Sequence, residues 1–96
     1  MSAFARAARA LHADPNLGMA AVFRPAAGPQ VPLRVVRQTE AAAEGFGAVE
    51  VAYVLMADLR EAPRRHDELI IGRDTYVVEQ IETEARTDRW RLTLSR

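Results

Sequence analysis

The sequence predicts a mainly β fold: a small antiparallel β-barrel or sandwich carrying one N-terminal α-helix. Three observations lead there. Apolar runs at residues 68–71, 75–81 and 89–94 are separated by turn-forming and charged residues, the pattern of an antiparallel β-meander. Trp90, Leu92 and Leu94 alternate with Arg89, Arg91, Thr93 and Ser95, the period of a half-buried strand. Helical periodicity, by contrast, is confined to the first turns of the chain, where Phe4, Ala7, Ala8 and Leu11 fall at i, i+3, i+4 and i+7.

The helix is expected over residues 2–13. Ser2 can cap it, alanine, leucine and arginine favour it, and Asp14-Pro15-Asn16 stops it. At that length it is marginal alone, so its apolar stripe must dock, on one end of the sheet or on a neighbouring subunit. A first strand follows at 18–24, with Met19, Ala21 and Phe23 on one face, and a rigid turn at 25–29 with two prolines and a glycine. The chain returns at 31–37 with Val31, Leu33 and Val35 inward. Pro32 lacks a ladder donor and marks an edge position or the strand start.

Residues 39–47 read as a flexible loop, because Gly45 and Gly47 weaken any longer helix. Phe46, between those glycines, is either an exposed contact residue or folds back onto the core. Residues 48–56 form the longest apolar run and suit a central strand, apolar on both faces toward its far end. A proline-containing connection at 58–65 leads into the meander. Burying Trp90, Leu92 and Leu94 stabilises the fold by about 1.5–3 kcal/mol per side chain, which makes the C-terminal strand structural.

With 96 residues, the chain is expected to form one domain over 1–96, with the helix at 2–13 and a β core at 18–95. Such a chain buries only about 60–65% of its unfolded surface. There is no cysteine to brace it, so assembly with copies of itself or with neighbours is the expected support. Charge is balanced, 13 basic against 13 acidic residues, which speaks against a protein whose main work is gripping nucleic acid. Every basic residue is arginine, suited to carboxylate pairing across interfaces. No run approaches the roughly 20 apolar residues of a membrane span, and Arg6, Arg9 and His12 break any signal-peptide core, so no membrane partner is expected.

Catalytic patterns are lacking. Lysine is absent, which removes a P-loop, and the serines, Ser2 and Ser95, sit at opposite chain ends. His66-Asp67-Glu68 is the one cluster with metal-ligand chemistry, but adjacent residues of an extended chain point to opposite faces, so a polar turn entering a strand is the better reading. Glu82 and Glu84 share a face, yet Arg86, Asp88 and Arg89 make the stretch a solvated charged ribbon. No enzyme activity, cofactor or metal site is therefore expected. Tyr53, Tyr76 and Trp90 on a small barrel leave an OB-like, single-stranded nucleic-acid-binding module as the alternative. Arg60, Arg64, Arg65 and Arg73 could form one local basic patch for it.

One resemblance takes the reading further. Tyr53-Val54-Leu55, Asp58-Leu59-Arg60, the run from His66 through Leu69-Ile70-Ile71 to Gly72, Tyr76-Val77-Val78 and Trp90-Arg91-Leu92 follow in an order that resembles the small head-tail joining, or stopper, proteins of tailed phages. The layout of helix, early hairpin, long loop and meander is similar over the whole chain. One departure is His66 before Asp67, where a glycine is more usual. The resemblance implies a β-barrel fold and a non-enzymatic neck component of a phage or phage-like particle, such as a gene-transfer agent, assembled in the bacterial cytoplasm. It implies a homo-oligomeric ring, a hexamer, with the portal or adaptor protein above it and the tail terminator or tail tube protein below. Such a ring helps retain packaged DNA and can touch that DNA in its lumen. The projecting loops then become contact surfaces, with Arg24, Gln30, Glu40, Glu44, Phe46, Arg64 and Arg65 as candidate interface residues.

Overall fold

The computed structural model describes residues 2–41 and 47–96. Helix α1 (Ala3–Ala13) begins where Ser2 Oγ accepts the Ala5 N–H at 3.0 Å, an N-cap. Six strands follow: β1 (Gly18–Arg24), β2 (Val31–Ala41), β3 (Ala48–Leu55), β4 (Glu68–Ile71), β5 (Asp74–Glu84) and β6 (Arg89–Ser95). A 3-10 turn over Met56–Asp58 opens the connection from β3 to β4.

All neighbouring strands are antiparallel, and they close into a barrel in the order β1-β2-β3-β6-β5-β4. Closure removes the free sheet edges along which chains aggregate. The meander is the run β4-β5-β6, with a two-residue turn at Gly72-Arg73 in which Gly72 takes a positive φ of 63°. Period two turns a pair of apolar side chains from every strand inward. These are Ala21 and Phe23, Leu33 and Val35, Ala52 and Val54, Leu69 and Ile71, Tyr76 and Val78, and Leu92 and Leu94, with Leu59 added from the connection. Trp90 is half-buried against this cluster.

β3 is covered on both sides, as its apolar faces predict: Val51, Ala52, Tyr53 and Val54 are all buried. Pro32 lies next to the strand start, where β2 pairs with β1 alone, because the β3 ladder begins only at Val35.

Three expectations need correction. α1 does dock, but of its expected apolar stripe only Ala8 is buried, together with Ala5 and His12, whereas Phe4, Ala7 and Leu11 are exposed. The close approach of helix to strands that small residues allow has overridden side-chain hydrophobicity. Met19 lies on the inner face of β1 by register but is 39% exposed, because it sits at the barrel rim rather than in its middle. Finally, β2 does not stop at Arg37. It continues through Ala41, so Thr39, Glu40 and Ala41 are strand residues paired with Glu50, Val49 and Ala48. β5 likewise extends past Ile81 to Glu84, with a register shift between Val78 and Gln80 that leaves Glu79 without an opposite residue on β6.

Candidate functional site

The ladders define two ends of the barrel. One, the loop end, gathers the β1–β2 loop at residues 25–30, the β3–β4 connection at 56–67 and the β5–β6 turn at 85–88. The other, the hairpin end, carries the β2–β3 hairpin, the Gly72-Arg73 turn and Arg96.

At the loop end the backbone is pinned from below. Asp67 is 3% exposed, and its carboxylate accepts the Arg64 N–H at 2.7 Å and the Ala26 N–H at 3.0 Å. Its own backbone carbonyl accepts the Val78 N–H at 2.8 Å, while the His66 N–H donates to the Val78 carbonyl at 2.8 Å. His66 takes a φ of 77°, the left-handed region where glycine is easiest. Its ring is exposed, and among the described residues no group of three His, Asp or Glu side chains is placed to hold a metal ion. The cluster His66-Asp67-Glu68 is a turn: Asp67 ties two loops together, and Glu68 takes the Arg24 guanidinium at 2.7 Å.

Leu59, Pro63 and Asp67 anchor the connection while Arg60, Arg64 and Arg65 stand out from it. Arg65 is 67% exposed and only 3.8 Å from Glu79. Arg24, Gln30, Arg64 and Arg65 all lie at this end of the barrel. Arg73 is not part of the patch expected with Arg60, Arg64 and Arg65, because the β4–β5 turn carries it to the opposite end.

At the hairpin end, β2 pairs with β1 only as far as Val36, and β3 pairs with β6 only from Glu50 onward. Residues 37–41 and 48–49 therefore extend past the flanking strands as a two-stranded arm. Its base is braced by charge. Arg37 Nε donates to Glu50 Oε2 at 2.9 Å, its other nitrogen donates to the Tyr76 hydroxyl, and its guanidinium lies 4.8 Å from the Tyr76 ring centre. On the outer face Arg91 bridges Glu40 at 2.5 Å and Glu82 at 2.9 Å, and the Tyr53 hydroxyl donates to Glu40 at 3.2 Å. Arg89 pairs with Glu84 at 2.7 Å and lies over the Tyr53 ring at 4.3 Å.

These contacts leave their mark on protonation. A hydrogen bond from Arg91 and the nearby charge hold Glu40 below the ordinary carboxylate range, and Arg37 does the same for Glu50. Burial pushes Glu84 upward, but Thr87, Arg89 and Arg91 together outweigh it and the net shift is down. Glu82 and Glu84 thus serve ion pairs on a charged ribbon. Each such exposed pair contributes about 0.2–1 kcal/mol, and strung across β2, β3, β6 and β5 they brace one face of the barrel.

Of the candidate interface residues, Glu40 lies on this arm, and Glu44 and Phe46 fall outside the described residues. The aromatic side chains considered for a stacking surface are covered: Tyr76 is 1% exposed in the core, Trp90 packs on the core, and Tyr53, 8% exposed, lies under Arg89 on the outer face. Sequence reasoning missed Asp67 as the tie between two loops. Its signal was an acidic residue directly before an apolar strand, which has no period to betray a buried carboxylate.

Among the described residues no helix is long and apolar enough to cross a membrane. Set against models of known families, the chain matches that of the phage head-tail attachment protein over residues 1–94. No curated protein matches it.

Proposed function

Because this chain belongs to the phage head-tail attachment protein family, a structural family of the virion neck, we propose that it acts as a ring-forming joint between the DNA-filled head and the tail. Copies of the chain, six to a ring, sit below the portal or its adaptor and above the tail terminator or tail tube. The ring helps keep packaged DNA inside and offers the surface on which the tail docks. Its work is holding rather than chemistry.

The observation that carries this reading beyond family membership is the division of the candidate contact residues between two opposed ends. Arg24 ends β1, Gln30, Arg64 and Arg65 stand on loops tied together by Asp67, and Glu40 stands on an arm that outreaches its flanking strands. A joint has to meet one neighbour on each side, and loops on a closed barrel present contacts without loosening the core. The arm, residues 37–41 and 48–49, is the proposed contact toward the tail, and the loop end the proposed contact toward the head. The exposed Arg64 and Arg65 there, Arg65 only 3.8 Å from Glu79, suit bidentate recognition of carboxylates on a protein neighbour.

Alanine substitution across residues 39–47 tests the assignment. The purified chain should keep its cooperative melt, while particles carrying it should fill with DNA and stay tailless. Normal tailed particles would count against a contact role for the arm. Alanine at Arg64 and Arg65 should instead leave rings missing from filled heads.

A further inference from the structure

Helix α1 grips the barrel by its small face. Ala5, Ala8 and His12 are buried, whereas Phe4 is 55% and Leu11 39% exposed. Two alanine methyl groups give little apolar hold at about 25 cal/mol per Å², and an isolated helix of this length is marginal in water. Polar contacts hold both ends: at the N-terminus Ser2 Oγ donates to the Arg86 carbonyl at 3.3 Å and the Arg86 guanidinium lies over the Phe4 ring at 4.9 Å, and the closer set is at the C-terminal end. There the His12 ring Nδ1 donates to the Arg34 carbonyl at 3.1 Å, Arg34 Nε donates back to the His12 carbonyl at 2.8 Å, and Arg34 Nη2 donates to the Gly18 carbonyl at 2.6 Å. The fit is close: a Cβ on Gly18 would lie 2.0 Å from the His12 carbonyl oxygen.

A ring nitrogen facing a carbonyl must carry the proton, so Nδ1 holds the single proton of the neutral imidazole and Nε2 is bare. Nε2 is buried without a hydrogen-bond partner. The charged groups around the ring are Arg34 on β2, Arg89 on β6, Asp58 on the 3-10 turn and Arg9 one turn back on α1. A second proton would therefore give Nε2 an N–H with no acceptor and place a cation in a buried site beside Arg34 and Arg89, the latter already paired with Glu84 at 2.7 Å.

We propose that α1 is a releasable arm, docked on the barrel while His12 is neutral and let go when His12 takes up a proton. Release detaches the helix that carries Phe4 and Leu11 and uncovers the part of β1, β2 and β3 against which it lies. This inference rests on the fold alone and stands apart from the neck assignment. Burial, followed by the Arg89 and Arg34 charges, outweighs the Arg34 carbonyl bond and the Asp58 charge and holds His12 below its ordinary 6.5. The docked helix thus favours the neutral ring: docking is complete above about pH 6.5 and weakens as pH falls below it toward the lower docked-state value.

Hydrogen exchange of the full chain at pH 7.5 and 5.5, corrected for intrinsic rates, tests this. Amides of α1 should lose protection at pH 5.5, by at most about tenfold, the limit that one unit below the free-ring value sets, while β5 and β6 amides stay unchanged. The ring titration of His12, followed by NMR, should have its midpoint below the ordinary 6.5, and the loss of protection should begin above that midpoint. His12→Asn keeps a donor for the Arg34 carbonyl but cannot titrate, and should remove the acid step; His66→Asn should leave it in place. Equal α1 protection at the two pH values, a His12 midpoint at or above 6.5, or an acid step that survives His12→Asn would each overturn the proposal.

Discussion

The Asp67 carboxylate accepts the backbone N–H of Ala26, 41 residues earlier in the chain, at 3.0 Å. Its other oxygen holds the Arg64 N–H at 2.7 Å, so one buried side chain fixes the geometry of both loops at this end of the barrel. Replacing it by asparagine exchanges one accepting oxygen for an N–H donor that faces another donor. Asp67→Asn should lower stability by about 1–3 kcal/mol, the cost of leaving a buried polar group unsatisfied. Urea denaturation reads the loss, and the Ala26 and Arg64 amides should be the ones whose exchange quickens most. A midpoint equal to that of the parent would mean that the loops hold themselves.

His66, one residue before, has the opposite expectation. A non-glycine residue at φ 77° carries a left-handed penalty of about 1–2 kcal/mol, part of which glycine returns through its freer unfolded state. His66→Gly should raise the melting temperature, with a net gain of up to about 1 kcal/mol. His66→Val, β-branched and ill suited to that region, should lower it. A glycine variant less stable than the parent would show that the imidazole makes a compensating contact.

Acid should unfold the barrel partly through the arm. Glu40 and Glu50 have folded-state values below their ordinary 4.5, because Arg91 and Arg37 favour the charged forms. Their stabilisation is whole above about 4.5 and is lost as pH falls through the lower folded values. Thermal melts from pH 7 to 3 should therefore steepen downward below 4.5. Glu50→Gln should start lower at pH 7 and fall less on acidification; parallel curves for the two proteins would remove Glu50 from the account.

Leu92 is fully buried and stands opposite Ala52 of β3 on one side and Ile81 of β5 on the other. Leu92→Ala should cost about 2–5 kcal/mol. Deleting residues 90–96 removes the strand that joins β3 to β5, opens the barrel and should abolish the cooperative transition altogether. Retention of a sharp melt by the deletion would mean that β3 and β5 can pair directly.

Local chemistry explains how much could be read beforehand. Strand periodicity is a property of short stretches, so β1, β4 and β6 carry their observed ends, and the N-cap of α1 is visible in Ser2. The reach of β2 through Ala41 was hidden because Thr39 and Glu40 have no apolar partner in sequence. They become strand residues through Glu50 and Val49 across the ladder. Of the candidate interface residues, Arg24, Gln30, Arg64 and Arg65 are 34 or more residues apart between their two groups, and only the closure of β1 on β4 brings them to one end of the barrel.

By itself the sequence determined the β-meander, the helix and the pattern that resembles the head-tail joining proteins, since each depends on residues within a few positions of one another. The tertiary structure alone decided which face of α1 is buried. By hydrophobicity Phe4 and Leu11 belonged inside, but Gly18 and Arg34 offer a surface that admits only small side chains and a histidine able to exchange hydrogen bonds with the strand. Close backbone approach and paired polar groups outweighed two apolar side chains, and a sequence read in one dimension contains no distance between His12 and Arg34.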